Sequence, residues 1–408
     1  MIKISPFKAL RPEPQLARQV ASRPYDVLNS REAKTEAQGN PNSFLHITKS
    51  EIDLPETIDI HSEQVYLTAA ENLKAFMSRN VLFRENKDCY YIYRLIMNGR
   101  SQTGLVCTSS VDDYENGLIK KHEFTRPEKE LDRINHIKTT RAQTGNVFLA
   151  YRNVEEMDNL ITKWCSEKSP QYDFKADDGI QHSIWIVSDD QSVNQITNIF
   201  LEKVPCTYIA DGHHRAASAA KVRQALGKEA TTESDFFLTT LFPSNQLAIL
   251  DYNRVISDLN GHDIHSILAA LQQNFNVEPV DQICKPAQLH EMGMYINKQW
   301  YKLTAKEGTY TQDPIGVLDV TLLQNNILLP IFGIADQRTD KRIDFVGGIR
   351  GLEELEKRVD SGEMKIAFSL YPVSIEQLFD ISDSGNVMPP KSTWFEPKLR
   401  DGLLTHLI

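Results

Sequence analysis

Residues 211–215 read Asp-Gly-His-His-Arg. Five consecutive positions thus hold a carboxylate, a flexible backbone link, two imidazoles and a guanidinium. Thr207, Tyr208 and Ile209 just before them prolong a β-prone run that predicts the end of a buried strand. From Ala216 the chain turns Ala-rich, with Lys221, Arg223 and Gln224, all good helix formers, and Gly227 is placed to stop that helix. The predicted order is strand, short polar turn, helix. The first amides of a helix have no intrahelical acceptor, and the helix dipole makes that end positive. Gly212 lets a ligand come close to the backbone. His213 and His214 add donors, and Arg215 can hold a phosphate through two bonds at once. The junction therefore predicts an anion site, above all for phosphates. Asp211 does not belong to anion binding as such. Three roles are open to it: helix cap, Mg²⁺ ligand or proton acceptor. The plainer alternative, a capped helix bearing two surface histidines, ranks second.

A second informative stretch is Lys120-Lys121-His122-Glu123-Phe124-Thr125, followed by Arg126-Pro127-Glu128 and a predicted helix carrying Leu131, Ile134 and Ile137. Phosphoryl transfer to a hydroxyl can use a carboxylate that orients the hydroxyl and takes its proton. Glu123 is the candidate for that role. Asp132 is the reserve, with a plain helix ion pair to Arg133 as its simpler reading.

Four segments together carry a resemblance: Pro24-Tyr25-Asp26-Val27, His122-Glu123-Phe124-Thr125, Asp211 to Arg215, and the tail from Met388 to Lys398. The chain resembles a prokaryotic family catalogued as domain of unknown function 1015, and the resemblance runs nearly its full length. The 211–215 box also resembles the phosphate box of the ParB/sulfiredoxin fold, in the form found in free-serine kinases. The resemblance implies an α/β (α+β) protein with a ParB/sulfiredoxin-like nucleotide-binding core, elaborated by N- and C-terminal α/β segments. In such a fold the element ahead of the phosphate box packs beside it, which would bring Glu123 near Asp211. The implied activity is a small-molecule kinase, with ATP or ADP as donor, Mg²⁺ as cofactor and a free hydroxyl as acceptor, L-serine first. Glu123, Asp211 and His213 are the catalytic candidates. Gly212, His213, His214 and Arg215 would bind the phosphates, and Asp211 the metal. Asp26, Thr125, Arg133, Lys391 and Ser392 are candidates for a substrate pocket. Relatives often carry Pro-Thr-His-Arg where this chain has Asp251 to Arg254, so a phosphate contact there falls to Arg254 alone. The alternative reading is a ParB-like switch that binds nucleotide without turnover. Metal-dependent hydrolysis through His213, His214 and Asp211 ranks third, because adjacent histidines at a helix start seldom reach one metal together.

At 408 residues with 41% apolar and 25% charged residues, the composition is that of a globular protein of two or three domains. A net charge of −10 argues against a general nucleic-acid binder. Two stretches run the other way. Lys3 to Arg23 holds five Lys/Arg and one acid, and Lys120 to Arg141 seven Lys/Arg and four acids. They are equally readable as the lining of one anion pocket or as solvated faces. The five cysteines are scattered without a Cys-x-x-Cys pair, which fits a reducing cytoplasm. No apolar run approaches ~18 residues, and the N-terminal residues lack a secretory h-region. The expected partners are a nucleotide and a small molecule, with no membrane. Oligomeric state is open, a homodimer included.

Three segments are predicted: 1–115, 116–260 with the box, and 261–408 with a docked tail. Within them the spacing predicts a strand at 43–47, a helix over 61–84, a hairpin over 88–110, and strands at 182–187, 235–242 and 247–256. It further predicts helices at 262–274 and 286–296 and a strand at 299–304, and leaves 317–330 undecided between helix and strand.

Overall fold

The computed structural model describes residues 1–408, and the chain divides into two units. One comprises Met1–Leu247 with Pro397–Ile408, the other Ala248–Glu396. The second unit is thus an insertion in the sequence of the first. This replaces the expected three segments for a physical reason. The strands Arg100–Ser110 and Val147–Tyr151 both pair with Phe236–Pro243, so a boundary at 115/116 would cut through one sheet.

The first unit is built on a nine-stranded mixed sheet. Its main path runs Ile119–Lys120, Thr207–Asp211, Val147–Tyr151, Phe236–Pro243, Arg100–Ser110, Tyr90–Met97, Gln181–Val187, Tyr172–Lys175. The predicted hairpin is there. Asn98 (φ 52°) and Gly99 (φ 79°) both take the left-handed conformation that a two-residue hairpin turn requires. Gly104 in its second strand has no room for a side chain, since a Cβ would lie 2.8 Å from the Phe242 ring. Ile92, Leu105, Leu149, Ile209 and Leu241 fill the core under the helices Glu155–Glu167, Asp190–Lys203 and His213–Leu226.

The second unit carries a six-stranded antiparallel sheet in the order Phe275–Val280, Gln299–Ala305, Glu291–Ile296, Ile366–Leu370, Tyr252–Ile256, Ile343–Gly347. The helices Ile264–Asn274, Glu353–Asp360 and Ile375–Asp383 belong to it.

Several local expectations are corrected. Residues 43–47 do not form a strand. Leu45–Thr48 is a helical turn, because Phe44, Leu45, Ile47 and Thr48 are all buried, and their spacing suits one face of a helix. The stretch 286–296 does not form a helix. Glu291–Ile296 is an interior strand buried at every residue, and pairing on both edges overrides the helix propensity of Glu and Met. The 247–256 strand is broken at Asp251 into Ile249–Leu250 and Tyr252–Ile256, which pair with different partners. The undecided 317–330 stretch is helical, with Asp319–Leu323 passing into a π-turn over Gln324–Leu328.

Candidate functional site

The strand Thr207–Asp211 pairs in parallel with Ile119–Lys120, and Tyr208 stands opposite Lys120. Three residues further along each chain lie Asp211 and Glu123. This register leads the segment that carries Glu123 toward the turn after Asp211, 88 residues later in sequence. Gly212, at φ 95°, then turns the chain into the helix His213–Leu226. Any side chain at that φ is strained, and a Cβ at Gly212 would also crowd Val147 Cα at 3.4 Å. No side chain caps this helix, so its leading amides are offered to whatever sits before them. Ala216, Ala217, Ala219 and Ala220 are buried and let the helix lie close to the sheet. Val222 and Leu226 pack on Ile137 of the neighbouring helix, Pro127–Thr140.

The 121–126 loop crosses the start of the helix and is fastened at two points. The His122 amide donates to His213 Nε2 at 3.4 Å, and the Arg126 amide donates to His214 Nε2 at 3.0 Å. An Nε2 that accepts cannot carry a proton, so in each neutral ring the proton is on Nδ1. His213 is 5% exposed and stands edge-on to the His122 ring at 4.5 Å. Burial, followed by the neighbouring His122, holds its pKa far below the ordinary histidine value. His213 is therefore neutral, and its Nδ1 faces Glu123 Oε2 across 3.9 Å, an electrostatic contact too long for a hydrogen bond. Burial also takes His122 down to about 4, against the opposing pull of Asp211. His214 is only half-buried. Its pKa is lowered by burial and then by Lys129 and Arg126, and opposed by Glu130 and Asp26. Its Nδ1–H is the imidazole donor left for a ligand at the helix start.

Behind the turn lies a web of charge. Arg215 donates from Nη2 to Asp26 Oδ2 (2.7 Å) and from Nη1 to the Asn146 carbonyl (2.6 Å). Burial works against its charge, but Asp26, Asp211 and Tyr25 outweigh it and raise its pKa. Tyr25 lies between two guanidinium groups, 3.9 Å from Arg133 and 5.5 Å from Arg215. Arg133 itself holds Asp132 through Nε (2.9 Å) and Nη2 (2.6 Å). Asp211 is met at 2.9 Å by Lys398 Nζ, from the tail segment. Burial would raise the Asp211 carboxyl, yet Lys398 and then Arg215 hold it well below the usual carboxylate range. Asp401, from the same tail, is buried beside this web, and desolvation pushes its carboxyl up to about 7 against the pull of Arg215.

Residues 4–321 match the family model described as Protein of unknown function (DUF1015). The chain belongs to this family. No curated protein matches the sequence. Among solved structures, a conserved hypothetical protein from Pyrococcus furiosus is 13% identical at TM-score 0.35, covering 74% of this chain and 94% of its own. A free serine kinase in complex with AMP is 12% identical at TM-score 0.35, covering 73% and 91%. SbnI with a C-terminal truncation, from Staphylococcus aureus, is 10% identical at TM-score 0.36, covering 72% and 85%. Likeness at these TM-scores says nothing about what the DUF1015 chain does.

In this DUF1015 chain the sequence-derived candidates part into four groups. Glu123, Asp211, Gly212, His213 and His214 come together at the turn. Arg215, expected to grip a phosphate, has both terminal nitrogens engaged behind it, and Asp26 and Arg133 belong to the same web. Thr125 bonds the Glu130 carboxylate, which Lys221 also holds. Lys391 and Ser392 belong to the second unit. There Lys391 lies 5.8 Å over the Tyr252 ring, and Ser392 donates to the Pro389 carbonyl. Arg254, also in that unit, is fully buried and donates to Gln337, to the Tyr252 carbonyl and to the Pro390 carbonyl. That removes it from phosphate binding. Sequence reasoning did not pick Lys398, Tyr25 or Asp401 as site residues. Their signal lay in the tail and the Pro24–Val27 segment, whose partners only the fold names. A groove of about 1170 Å³ lies elsewhere in the first unit, between Glu155–Glu167 and Asp190–Lys203, lined by Leu160, Trp164 and Lys203 among others. None of the junction residues lines it.

No three His, Cys, Asp or Glu side chains gather to hold a metal ion. Mg²⁺ takes most of its ligands from water and substrate phosphates and needs only one or two carboxylates from the protein. Asp211 fits that modest part, with Lys398 on its Oδ2. The residues suit an ion that arrives with a nucleotide and do not form a preformed metal cage. No helix is long and apolar enough to cross a membrane.

Proposed function

We propose that this protein is a small-molecule kinase that moves a phosphoryl group from ATP or ADP to a free hydroxyl, with L-serine the first acceptor to test. The observation that carries this reading is the parallel register that sets Glu123 beside the start of the His213–Leu226 helix, with its carboxylate 3.9 Å from His213. The helix amides and the His214 Nδ1–H receive the phosphates. Lys121, Arg126 and Lys129 are exposed cations around the two histidines and lower the charge barrier to an anion. Glu123 has a side chain 59% exposed, so an acceptor hydroxyl can approach it from solvent, be oriented by it and pass it a proton. Neutral His213 is a positioning residue, directing its Nδ1–H toward that carboxylate. Bound Mg²⁺ would neutralise phosphate charge, and Asp211 is the residue to hold it. The choice of serine rests on the resemblance of the 211–215 box to that of free-serine kinases.

The test is turnover of Mg-ATP and Mg-ADP with a panel of amino acids and polyols, beside calorimetry of nucleotide binding. Phosphorylated acceptor that disappears in Glu123→Gln, with nucleotide binding kept, supports the proposal. Turnover indifferent to Glu123→Gln and His214→Ala sinks it. The two-point fastening of the 121–126 loop favours a second reading, a nucleotide-gated switch, for which binding without any acceptor product is the signature.

A further inference from the structure

Phe124 is 75% exposed, more than any other large apolar side chain of the chain. A single exposed apolar side chain is ordinary on a protein surface, so what distinguishes Phe124 is that its backbone is fixed beside a candidate anion site. Phe124 is held. Its loop is tied down at His122 and at Arg126, each two residues away, by the amide bonds to His213 and His214. With 3.8 Å between consecutive Cα atoms, its backbone lies within about 8 Å of both anchors. The Phe124 backbone is therefore kept beside the helix start, and its exposed ring shares this stretch of chain with the exposed cations Lys121, Arg126 and Lys129. A bare aromatic face next to cations and unpaired amides suits a ligand with an anionic end and a flat ring.

We infer that Phe124 is the stacking platform for the base of the nucleotide whose phosphates sit at His213–Leu226. This deepens the kinase reading and rests on it. Phe124 has no polar atom with which to read a base edge, so the platform tolerates purines of either kind. Selectivity between ATP and GTP is then weak.

Calorimetry with ATP, GTP and inorganic tripolyphosphate separates base from phosphate. Phe124→Ala weakens ATP and GTP by about 5- to 150-fold, the span of one base–aromatic stack, and leaves tripolyphosphate unchanged. Phe124→Trp keeps or tightens ATP. Circular dichroism reports folding, which an exposed side chain does not govern. Equal weakening of all three ligands, or no change in ATP, overturns the platform while the phosphate site stands. If the unaltered protein binds neither ATP nor tripolyphosphate, the anion site itself is refuted.

Discussion

Each unit buries an arginine, and the two hold its charge by different means. Arg254 of the second unit is wholly sealed, and its named acceptors are neutral: the Gln337 amide and the Tyr252 and Pro390 carbonyls. Burial lowers its pKa to about 9, which leaves it charged at neutral pH. Arg215 of the first unit sits among Asp26, Asp211 and Asp401, and its charge is strengthened. A cage of carbonyls fixes a cation with nothing to adjust. A web of carboxylates that reaches solvent at Asp26 and at the Asp211–Lys398 pair can respond when an anion arrives. The contrast is what the proposed function requires of the first unit, while the second unit's arginine is held by neutral acceptors alone.

The contrast can be broken or sharpened in order of expected effect. Glu123→Gln should lower phosphoryl transfer by about 10²- to 10⁴-fold, the usual weight of a general base. Glu353→Gln, an exposed carboxylate of the second unit, should leave it unchanged in the same assay. Next comes stability in urea. Arg215→Met takes the cation from the buried Asp401 and the partly exposed Asp26 and Asp211 and should remove about 3–5 kcal/mol. Arg254→Met removes a desolvated charge along with its bonds and should remove about 1–3 kcal/mol, the scale of buried acceptors left unpaired. Equal losses would erase the distinction between the cages.

Acid should separate the units as well. Burial lowers His122 and His136 to about 4, and His182 to about 3. These rings are neutral when folded and ordinary when unfolded, so below about pH 6.5 the unfolded chain binds more protons. Their stabilisation is present above that pH and is lost as pH falls toward 4. In the second unit burial raises Asp319 to about 7. That carboxyl is protonated when folded, so its contribution is lost as pH rises from about 4 through 7. Asp401 opposes the histidines in the first unit, but three rings outweigh one carboxyl. Hydrogen exchange at pH 7 and 4.5 should show residues 1–247 loosening more than 248–396. A uniform response would remove this difference. The smallest effect is that of Lys398→Ala. Its pair with Asp211 is partly exposed, with side chains at 21% and 32%, so about 1 kcal/mol is expected in the same urea titration.

Much of the junction was legible in sequence because local rules govern it. A β-prone run, a glycine, then alanines dictate strand, turn and helix, and Asn98-Gly99 likewise announces a hairpin. The expectation that Glu123 lies near the box came from the family resemblance, because the register of a two-residue parallel strand is encoded by no local pattern. Arg215 reads in sequence as a phosphate grip, yet both its terminal nitrogens hold protein partners that no local pattern announces. Its partner Asp26 lies 189 residues away, and burial decides whether a guanidinium is offered or occupied. The Leu45–Thr48 turn and the Glu291–Ile296 strand show tertiary packing overriding short-range preference.

The first unit is interrupted after Leu247 and resumed at Pro397, and the returning segment supplies both the Asp211 counter-ion and the buried Asp401. A ribosome must therefore finish the whole inserted unit before the junction can be charge-balanced. A chain cut short within the insertion would leave the Asp211 carboxylate without the Lys398 ammonium, so a ligand at the 211–215 turn would meet an unanswered acid until residues 397–401 had been made.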